Sequence, residues 1–175
     1  MRRLISTLVL LTLAGCAAQT GYGPSPAPPM ARAPSRLEQQ FGWSSGPGRN
    51  SIRGAVAYRD LEGRRYSCAG RSVALTPVAP ISRARTVALY GSDQHAVASV
   101  EAVRQRSGDL PAPTYGAWLR SATCAASGRF AFDGLPDGDW FLIVTAVPSR
   151  AGGEPLVIMR RIDARGGAVR TVEVR

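Results

Sequence analysis

The sequence contains no lysine and only one histidine, His95, among its 175 residues. A single histidine with no other candidate ligand at metal-binding spacing argues against a zinc site, and it leaves no serine–histidine–acid set. A cysteine nucleophile would also lack a base to activate it. We therefore expect no catalytic residue, no metal and no cofactor, and we interpret His95 as a solvated residue on a helix.

A long hydrophobic run is missing as well. The apolar segment Leu4–Leu13 has about ten residues, whereas a membrane-spanning helix needs roughly twenty. Arg2 and Arg3 precede this segment, a pattern typical of an export signal. The sequence Leu-Ala-Gly-Cys that follows, ending at Cys16, resembles the lipobox of bacterial lipoproteins. That resemblance implies cleavage before Cys16 and attachment of lipid to this cysteine.

The lipobox resemblance also predicts a location. A multiply acylated Cys16 would anchor the protein almost permanently, because a single fatty-acid chain gives only marginal membrane binding. Ala17 stands where an aspartate would favour the inner membrane in lipoproteins. We therefore expect a lipid-anchored protein of the cell envelope, at the periplasmic face of the outer membrane. The alternative is an ordinary secreted protein in which Cys16 is incidental.

Three cysteines are present in all, so an acylated Cys16 leaves the pair Cys68 and Cys124. An even pair in an oxidising compartment predicts a structural disulfide. The closed loop holds 55 intervening residues (124 − 68 − 1). Chain-entropy arguments give such a bridge about 4 kcal/mol of stabilisation.

Proline is concentrated near the N-terminus. The segment Gly21–Arg36 is rich in proline, alanine, serine and glycine, so we expect an extended or disordered linker. At about 3.1 Å per residue it would reach about 50 Å. An ordered arm packed on the domain is the alternative. We predict a signal peptide over residues 1–15, a lipidated cysteine and linker over 16–49 with a short amphipathic piece at Leu37–Trp43, and one domain over 50–175.

Most of residues 50–175 follow the period-two pattern of half-buried strands. Ile52 and Gly54 fall on one face of the first such segment, and Arg53 falls on the other. The segment Trp140–Val147 is apolar on both faces, which predicts a central strand. Seven or eight short strands separated by turn signals predict a mainly β fold, namely a β-sandwich. The last two strands should form a hairpin through Asp163–Gly167.

One stretch, Ser92–Arg106, departs from this alternation. Its apolar residues recur at helical spacing, and Ser92 or Asp93 is suited to cap a helix. We predict a short inserted helix. A strand through Val97–Val103 is the competing interpretation, because valine favours strands.

A longer motif resembles a known family. The pattern G-x-F-x-F-x-x-L-P-x-G-x-W is similar to that of the carboxypeptidase regulatory-like domain, a transthyretin-like β-sandwich. It is formed by Gly128, Phe130, Phe132, Leu135, Pro136, Gly138 and Trp140. Upstream, bacterial members have a glycine followed by V-x-L-x-P. The matching residues here are Gly70, Val73, Leu75 and Pro77. The resemblance implies that the three aromatic residues fill the core and that Leu135–Gly138 shapes a turn between two strands.

Three aspartates in seven residues raise the question of a calcium site. Asp133, Asp137 and Asp139 do not have the spacing of an EF-hand loop. Aspartate beside glycine is also what tight turns select, because its side chain bonds to nearby backbone. We therefore interpret the three aspartates as turn residues rather than as a metal site.

The basic charge is carried by arginine alone. Without Arg2 and Arg3, 20 arginines face 12 acidic residues, a net charge near +8. That balance favours an anionic partner such as a phosphorylated lipid headgroup or an acidic glycan, although arginine usage in a genome rich in G and C is an alternative cause. Scattered arginines without a nucleic-acid-binding motif argue against nucleic acid.

The functional prediction follows from these points. We expect a non-catalytic, lipid-anchored envelope protein that acts as a structural or binding module. Its partners would be the membrane, through the lipid, and an envelope protein or an anionic glycan or lipid. The alternative is a hydrolase of a small cyclic amide, since transthyretin-like folds include such enzymes. Those enzymes use histidines and a tyrosine-arginine-glycine-serine motif that this sequence does not contain.

Overall fold

Nine strands in two sheets form the framework of the described part of the protein. The computed structural model describes residues 33–174. The strands are β1 (Asn50–Val56), β2 (Tyr66–Ser67), β3 (Ser72–Pro77), β4 (His95–Ser99), β5 (Arg120–Thr123), β6 (Arg129–Leu135), β7 (Gly138–Pro148), β8 (Leu156–Ala164) and β9 (Val169–Val174). The larger sheet has the order β4-β8-β7-β3-β5, with β2 paired to the far end of β7, and the smaller sheet has the order β6-β1-β9. The predicted mainly β fold of two sheets is confirmed.

Within residues 33–174, three α-helices accompany the sheets, namely α1 (Arg36–Phe41), α2 (Pro80–Tyr90) and α3 (Val100–Gly108). Short 3-10 turns lie at Gly42–Ser45 and Gly116–Trp118. Among residues 33–174 no helix combines the length and the apolarity that crossing a bilayer requires.

The central strand is β7, as the apolar segment Trp140–Val147 predicts. It pairs with β8 over Gly138–Ala146 and with β3 on its other edge, both antiparallel. Trp140, Leu142 and Val144 face the smaller sheet, and Phe141 lies on the opposite face against Met159. Both faces of β7 are therefore covered, which explains why its sequence does not alternate.

The predicted hairpin between the last two strands is wrong. β8 pairs with β7 along one edge and with β4 over Leu156–Arg160 of the other, so most of both edges is already occupied. The segment Asp163–Gly167 instead carries the chain to the other sheet, where β9 lies parallel to β1. There Val172 and Val174 join the core that lies between the two sheets.

The segment from Ser92 to Arg106 contains both predicted structures in succession. Residues 95–99 form β4, and residues 100–108 form α3. Ser99 is the residue at which the strand ends and the helix begins, because its hydroxyl accepts a hydrogen bond from Ala102 N at 3.1 Å. The predicted helix therefore exists but begins later, and His95 is an exposed strand residue rather than a helical one.

The predicted disulfide between Cys68 and Cys124 is confirmed. Both cysteines are buried, and their Cα atoms are 5.7 Å apart. The bridge joins the chain just after β2 to the chain just after β5, and thus holds one end of the larger sheet together.

The folded region begins before residue 50 and includes the short piece predicted over Leu37–Trp43. Residues 36–45, assigned to the linker, form α1 and a 3-10 turn. Phe41 is fully buried and packs its ring 5.1 Å from that of Tyr115 and 5.5 Å from that of Trp118. An aromatic anchor thus fixes this segment to the domain. The signal peptide, Cys16 and the rest of the predicted linker lie outside the described residues.

Candidate functional site

A cleft of about 990 Å³ opens at the Gly138 end of β7. That volume is at the upper end of the range for small-molecule sites, roughly 300–1,000 Å³. The cleft lies between the N-terminal segment, the first turns of α2 and the β6–β7 turn. Its walls combine one aromatic side chain, apolar helix residues and charged strand residues, namely Trp43, Val78, Ala79, Pro80, Arg83, Ala84, Val87, Asp137, Gly138, Asp139, Arg161 and Arg165.

Trp43 forms the aromatic wall and has a fixed position. Its ring packs edge-on against the buried Trp140, with the centroids 5.1 Å apart. Gly138 makes this packing possible, because a Cβ at that residue would lie 2.2 Å from Cζ3 of Trp43. The indole is half-buried, so part of it remains available in the cleft. A flat apolar surface is thus held in place by a glycine in the recognised motif.

The opposite wall is a network of arginines and aspartates centred on Asp139. Arg161 Nε donates to Oδ2 of Asp139 at 3.1 Å, and Arg165 Nη1 donates to Oδ1 at 2.6 Å. Arg161 also lies 3.7 Å from a carboxylate oxygen of Asp93, and Arg83 lies 3.3 Å from the same oxygen. Each guanidinium of this wall is therefore oriented by at least one carboxylate.

The network controls the charge of Asp139. Burial raises the pKa of this carboxyl group, but the hydrogen bonds from Arg161 and Arg165 outweigh burial and hold the pKa below its usual value. Asp139 consequently stays ionised at neutral pH and acts only as a hydrogen-bond acceptor.

The rim of the cleft is fixed by the buried Asn50. Its Nδ2 donates to Oδ1 of Asp137 at 2.8 Å and to the Leu135 carbonyl at 3.0 Å. The side-chain oxygen Oδ1 of Asn50 accepts a hydrogen bond from Ala168 N at 3.1 Å. Asn50 thus ties the β6–β7 turn to the segment that connects the two sheets.

Asp137 keeps one oxygen for other contacts. Oδ1 accepts from Asn50 and from Gly166 N, and the Asn50 bond is the main reason that the pKa of Asp137 lies below its usual value. Oδ2 has no hydrogen-bond donor among residues 33–174. A rigid carboxylate with a free acceptor therefore lines the cleft beside Trp43.

The three aspartates of the sequence motif have different roles. Asp137 lies in a turn, as predicted. The turn interpretation is wrong for Asp133 and Asp139, which lie in β6 and β7. Asp133 pairs with Arg53 at 2.7 Å and lies outside the cleft. No group of three or more histidine, cysteine, aspartate or glutamate side chains within residues 33–174 is arranged to hold a metal ion.

Sequence reasoning missed the most characteristic part of this site. Nothing in the local sequence marks Trp43, because its role depends on Gly138, which is distant in the chain. The helix α2 was missed too, because its buried side chains are Ser82 and Thr86 rather than apolar residues. The adjacent arginines Arg160 and Arg161 were visible as a pair, and strand alternation turns only Arg161 toward the cleft.

A solved structure shares this architecture. It comes from Pseudomonas aeruginosa and is named "putative carbohydrate binding protein (PA1324)". The likeness has a TM-score of 0.57 and 20% sequence identity, and it covers 81% of this chain and 97% of that chain. At this identity the likeness shows the fold alone.

A second structure, from Bacteroides uniformis ATCC 8492, is named "putative carbohydrate binding protein" and has a TM-score of 0.35 with 5% identity. It covers 74% of this chain and 41% of that chain, and it supports no argument. No protein-family model and no curated protein matches the sequence.

Proposed function

We propose that the protein is a non-catalytic glycan-binding module of the bacterial cell envelope, and that the cleft beside Trp43 is its binding site. The observation that carries the proposal is the pairing of a fixed indole with oriented guanidinium and carboxylate groups in one cleft. A sugar ring has an apolar face of C–H groups and a rim of hydroxyls. The indole suits the face, and charge-assisted hydrogen bonds that the arginines donate and Asp137 accepts suit the rim.

The fold supports the same proposal. The structure from Pseudomonas aeruginosa that shares this fold bears the name "putative carbohydrate binding protein (PA1324)". We also propose that the two-sheet fold is a carboxypeptidase regulatory-like domain, because the sequence motif resembles that family. A fold supports many functions, so the cleft chemistry carries more weight than the likeness.

The charges of the cleft support binding rather than hydrolysis. A general acid or base near neutral pH needs a carboxyl pKa raised toward the working pH. The pKa values of Asp137 and Asp139 are both lowered, and the causes are the hydrogen bonds from Asn50 and from the two arginines. These side chains are therefore suited to accept hydrogen bonds from hydroxyl groups and poorly suited to transfer protons.

Attachment to the envelope rests on the sequence. The lipobox resemblance at Cys16 and the proline-rich segment after it support a lipid anchor with a long tether at the periplasmic face of the outer membrane. A shift in apparent mass of the exported protein when lipoprotein processing is inhibited would test the anchor independently of the cleft.

The cleft is tested by titrating the purified full chain with neutral and uronic-acid-containing oligosaccharides in a calorimeter. We expect at least one class to bind, and Trp43→Ala to weaken it by about tenfold or more, because buried aromatic anchors dominate such sites. Tyr58→Ala is the matched control, because this half-buried aromatic residue packs on Tyr66 at the other end of β7 and lies outside the cleft lining. If no glycan binds, or if Trp43→Ala and Tyr58→Ala have equal effects, the proposal is wrong.

A further inference from the structure

The opposite end of β7 has a second group of arginines in different surroundings. Here β2 pairs with β7 through Tyr66 and Pro148, and Ser149 N donates to the Arg65 carbonyl at 2.8 Å. The turn before β2 and the loop after β7 therefore meet and enclose a depression of about 580 Å³. Four arginines and one glutamate line it, namely Arg59, Arg64, Arg65, Arg150 and Glu62.

The turn at this end is rigid without help from most of these arginines. The carboxylate of Asp60 accepts from Glu62 N at 3.0 Å, from Arg64 N at 2.9 Å and from Arg64 Nε at 2.7 Å. Arg64 also pairs with Glu62 at 2.6 Å. Arg59 and Arg65 lie opposite each other in an isolated antiparallel bridge at the base of the turn. Only Arg64 is thus used to build the turn.

The other three arginines have free guanidinium groups. Within residues 33–174, the side chains of Arg59, Arg65 and Arg150 form no hydrogen bond and no ion pair, and all three are exposed. Three unpaired positive charges around one depression create a local field that attracts anions.

Leu61 lies at the tip of the same turn. Its relative exposure is 107%, the highest of the large apolar side chains in the described part of the chain. A single exposed leucine is common and needs no explanation. Here, however, the leucine lies on a rigid turn flanked by unpaired arginines. Together these residues resemble a membrane-interface contact, in which the apolar tip enters the headgroup boundary and the basic side chains bind phosphates.

We propose that this docking surface, defined by Leu61, Arg59, Arg65 and Arg150, binds an anionic phospholipid surface. Soluble phosphate would account for the arginines but would leave Leu61 without a role. The docking surface is distinct from the glycan cleft, because the ten residue steps of β7 separate them by about 30 Å. Binding through this surface does not require lipid on Cys16. In a lipid-anchored protein the surface would orient the domain on the membrane, and without the anchor it would bind the membrane weakly.

The test uses the full chain with Leu61→Cys labelled by an environment-sensitive fluorophore. The native Cys68 and Cys124 are bridged, and Cys16 is replaced by Ser in every variant so that it takes up neither dye nor lipid. The chain with Cys16→Ser alone, treated with the same dye, gives the background. Vesicles of phosphatidylcholine alone are compared with vesicles that also contain phosphatidylglycerol. Leu119→Cys is the matched control, because Leu119 is an exposed apolar residue that adjoins β5 at the cleft end of the larger sheet.

We expect the dye at position 61 to brighten and shift to the blue only with the anionic vesicles, and the dye at position 119 to stay unchanged. Replacing Arg59, Arg65 and Arg150 together by Gln should weaken docking by on the order of a hundredfold, at about fivefold for each charge. High salt should have a similar effect.

Three outcomes would overturn the proposal. The first is no shift at position 61 with anionic vesicles. The second is an equal shift with vesicles of both compositions, since that would indicate apolar adsorption. The third is loss of the shift in inorganic phosphate at an ionic strength where chloride has no effect, because the arginines would then form a site for a free anion.

Discussion

The two ends of β7 use arginine in opposite ways. At the Gly138 end, Arg161 and Arg165 converge on Asp139 and are half-buried or paired. At the Pro148 end, Arg65 and Arg150 are exposed and have no acidic partner in the described residues. The net charge of +10 does not distinguish these cases. A count of arginines therefore predicts an anionic partner only when the arginines that pair with carboxylates of the same protein are left out.

The same comparison separates stability from binding. A half-buried, doubly hydrogen-bonded carboxylate such as Asp139 contributes to the free energy of folding, whereas exposed unpaired arginines contribute little to it. Their influence is a field that acts on molecules outside the protein. We therefore expect arginine substitutions at the Gly138 end to lower stability, and arginine substitutions at the Pro148 end to weaken membrane binding instead.

The largest expected effect comes from the disulfide, which lies at the Pro148 end. Replacing Cys68 and Cys124 together by Ala should lower the free energy of unfolding by about 4 kcal/mol, because the unfolded chain regains loop entropy. Chemical denaturation of the oxidised protein and of the double variant measures this difference. A loss below about 1 kcal/mol would show that the bridge does not hold this end together.

Gly138→Ala should perturb the cleft end alone. The added methyl group would lie 2.2 Å from the Trp43 ring, so the indole must move. We expect a loss of about 1–3 kcal/mol from overpacking, together with weaker glycan binding. Gly116→Ala is the control, because its Cβ would have no atom within 4 Å. Equal stability of the two variants would contradict the packing of Trp43 on Gly138.

A matched pair of charge neutralisations tests the comparison itself. Arg161→Gln removes a half-buried partner of Asp139, and we expect it to cost about 1–2 kcal/mol of stability. Arg65→Gln removes an unpaired arginine and should change stability by less than about 0.5 kcal/mol. Thermal or urea unfolding of both variants gives the answer. Similar losses would mean that the arginines at the two ends do not differ as described.

A smaller effect is expected from pH. The pKa of Asp139 in the folded protein lies below the ordinary value of 3.8 that applies when the chain unfolds. Its contribution to stability is therefore fully present above pH 3.8 and is lost as the pH falls through the lower folded value. Unfolding measured from neutral pH to acid should show a shallower decline for Asp139→Asn than for the unsubstituted protein. Parallel curves for the two proteins would show that Asp139 does not contribute to the pH dependence of stability.

Much of the fold is predictable from the sequence because strand alternation is a local signal. Ile52 and Gly54 alternate with Arg53 as a half-buried strand requires, and Trp140–Val147 shows the continuous apolarity of a central strand. The pairing of β9 was not predictable, because a turn signal at Gly166 and Gly167 does not reveal that β7 and β4 already occupy most of both edges of β8.

The candidate site was predictable only in part. Asp137 and Asp139 stand out in the sequence because they lie within a recognisable motif, but their partners Asn50 and Arg161 come from other strands. The contact between Trp43 and Gly138 joins the N-terminal segment to β7. Such a contact is set by tertiary packing, and no local pattern encodes it.

The central claim is that a sugar binds against Trp43. It is tested most directly by following the indole N–H signals of the three tryptophans by NMR during titration with a glycan selected by calorimetry. Trp118 packs on Phe41 outside the cleft lining, so its signal serves as the reference. We predict that the Trp43 signal shifts in a saturable way while that of Trp118 stays in place. Saturable binding with an unmoved Trp43 signal would contradict the account.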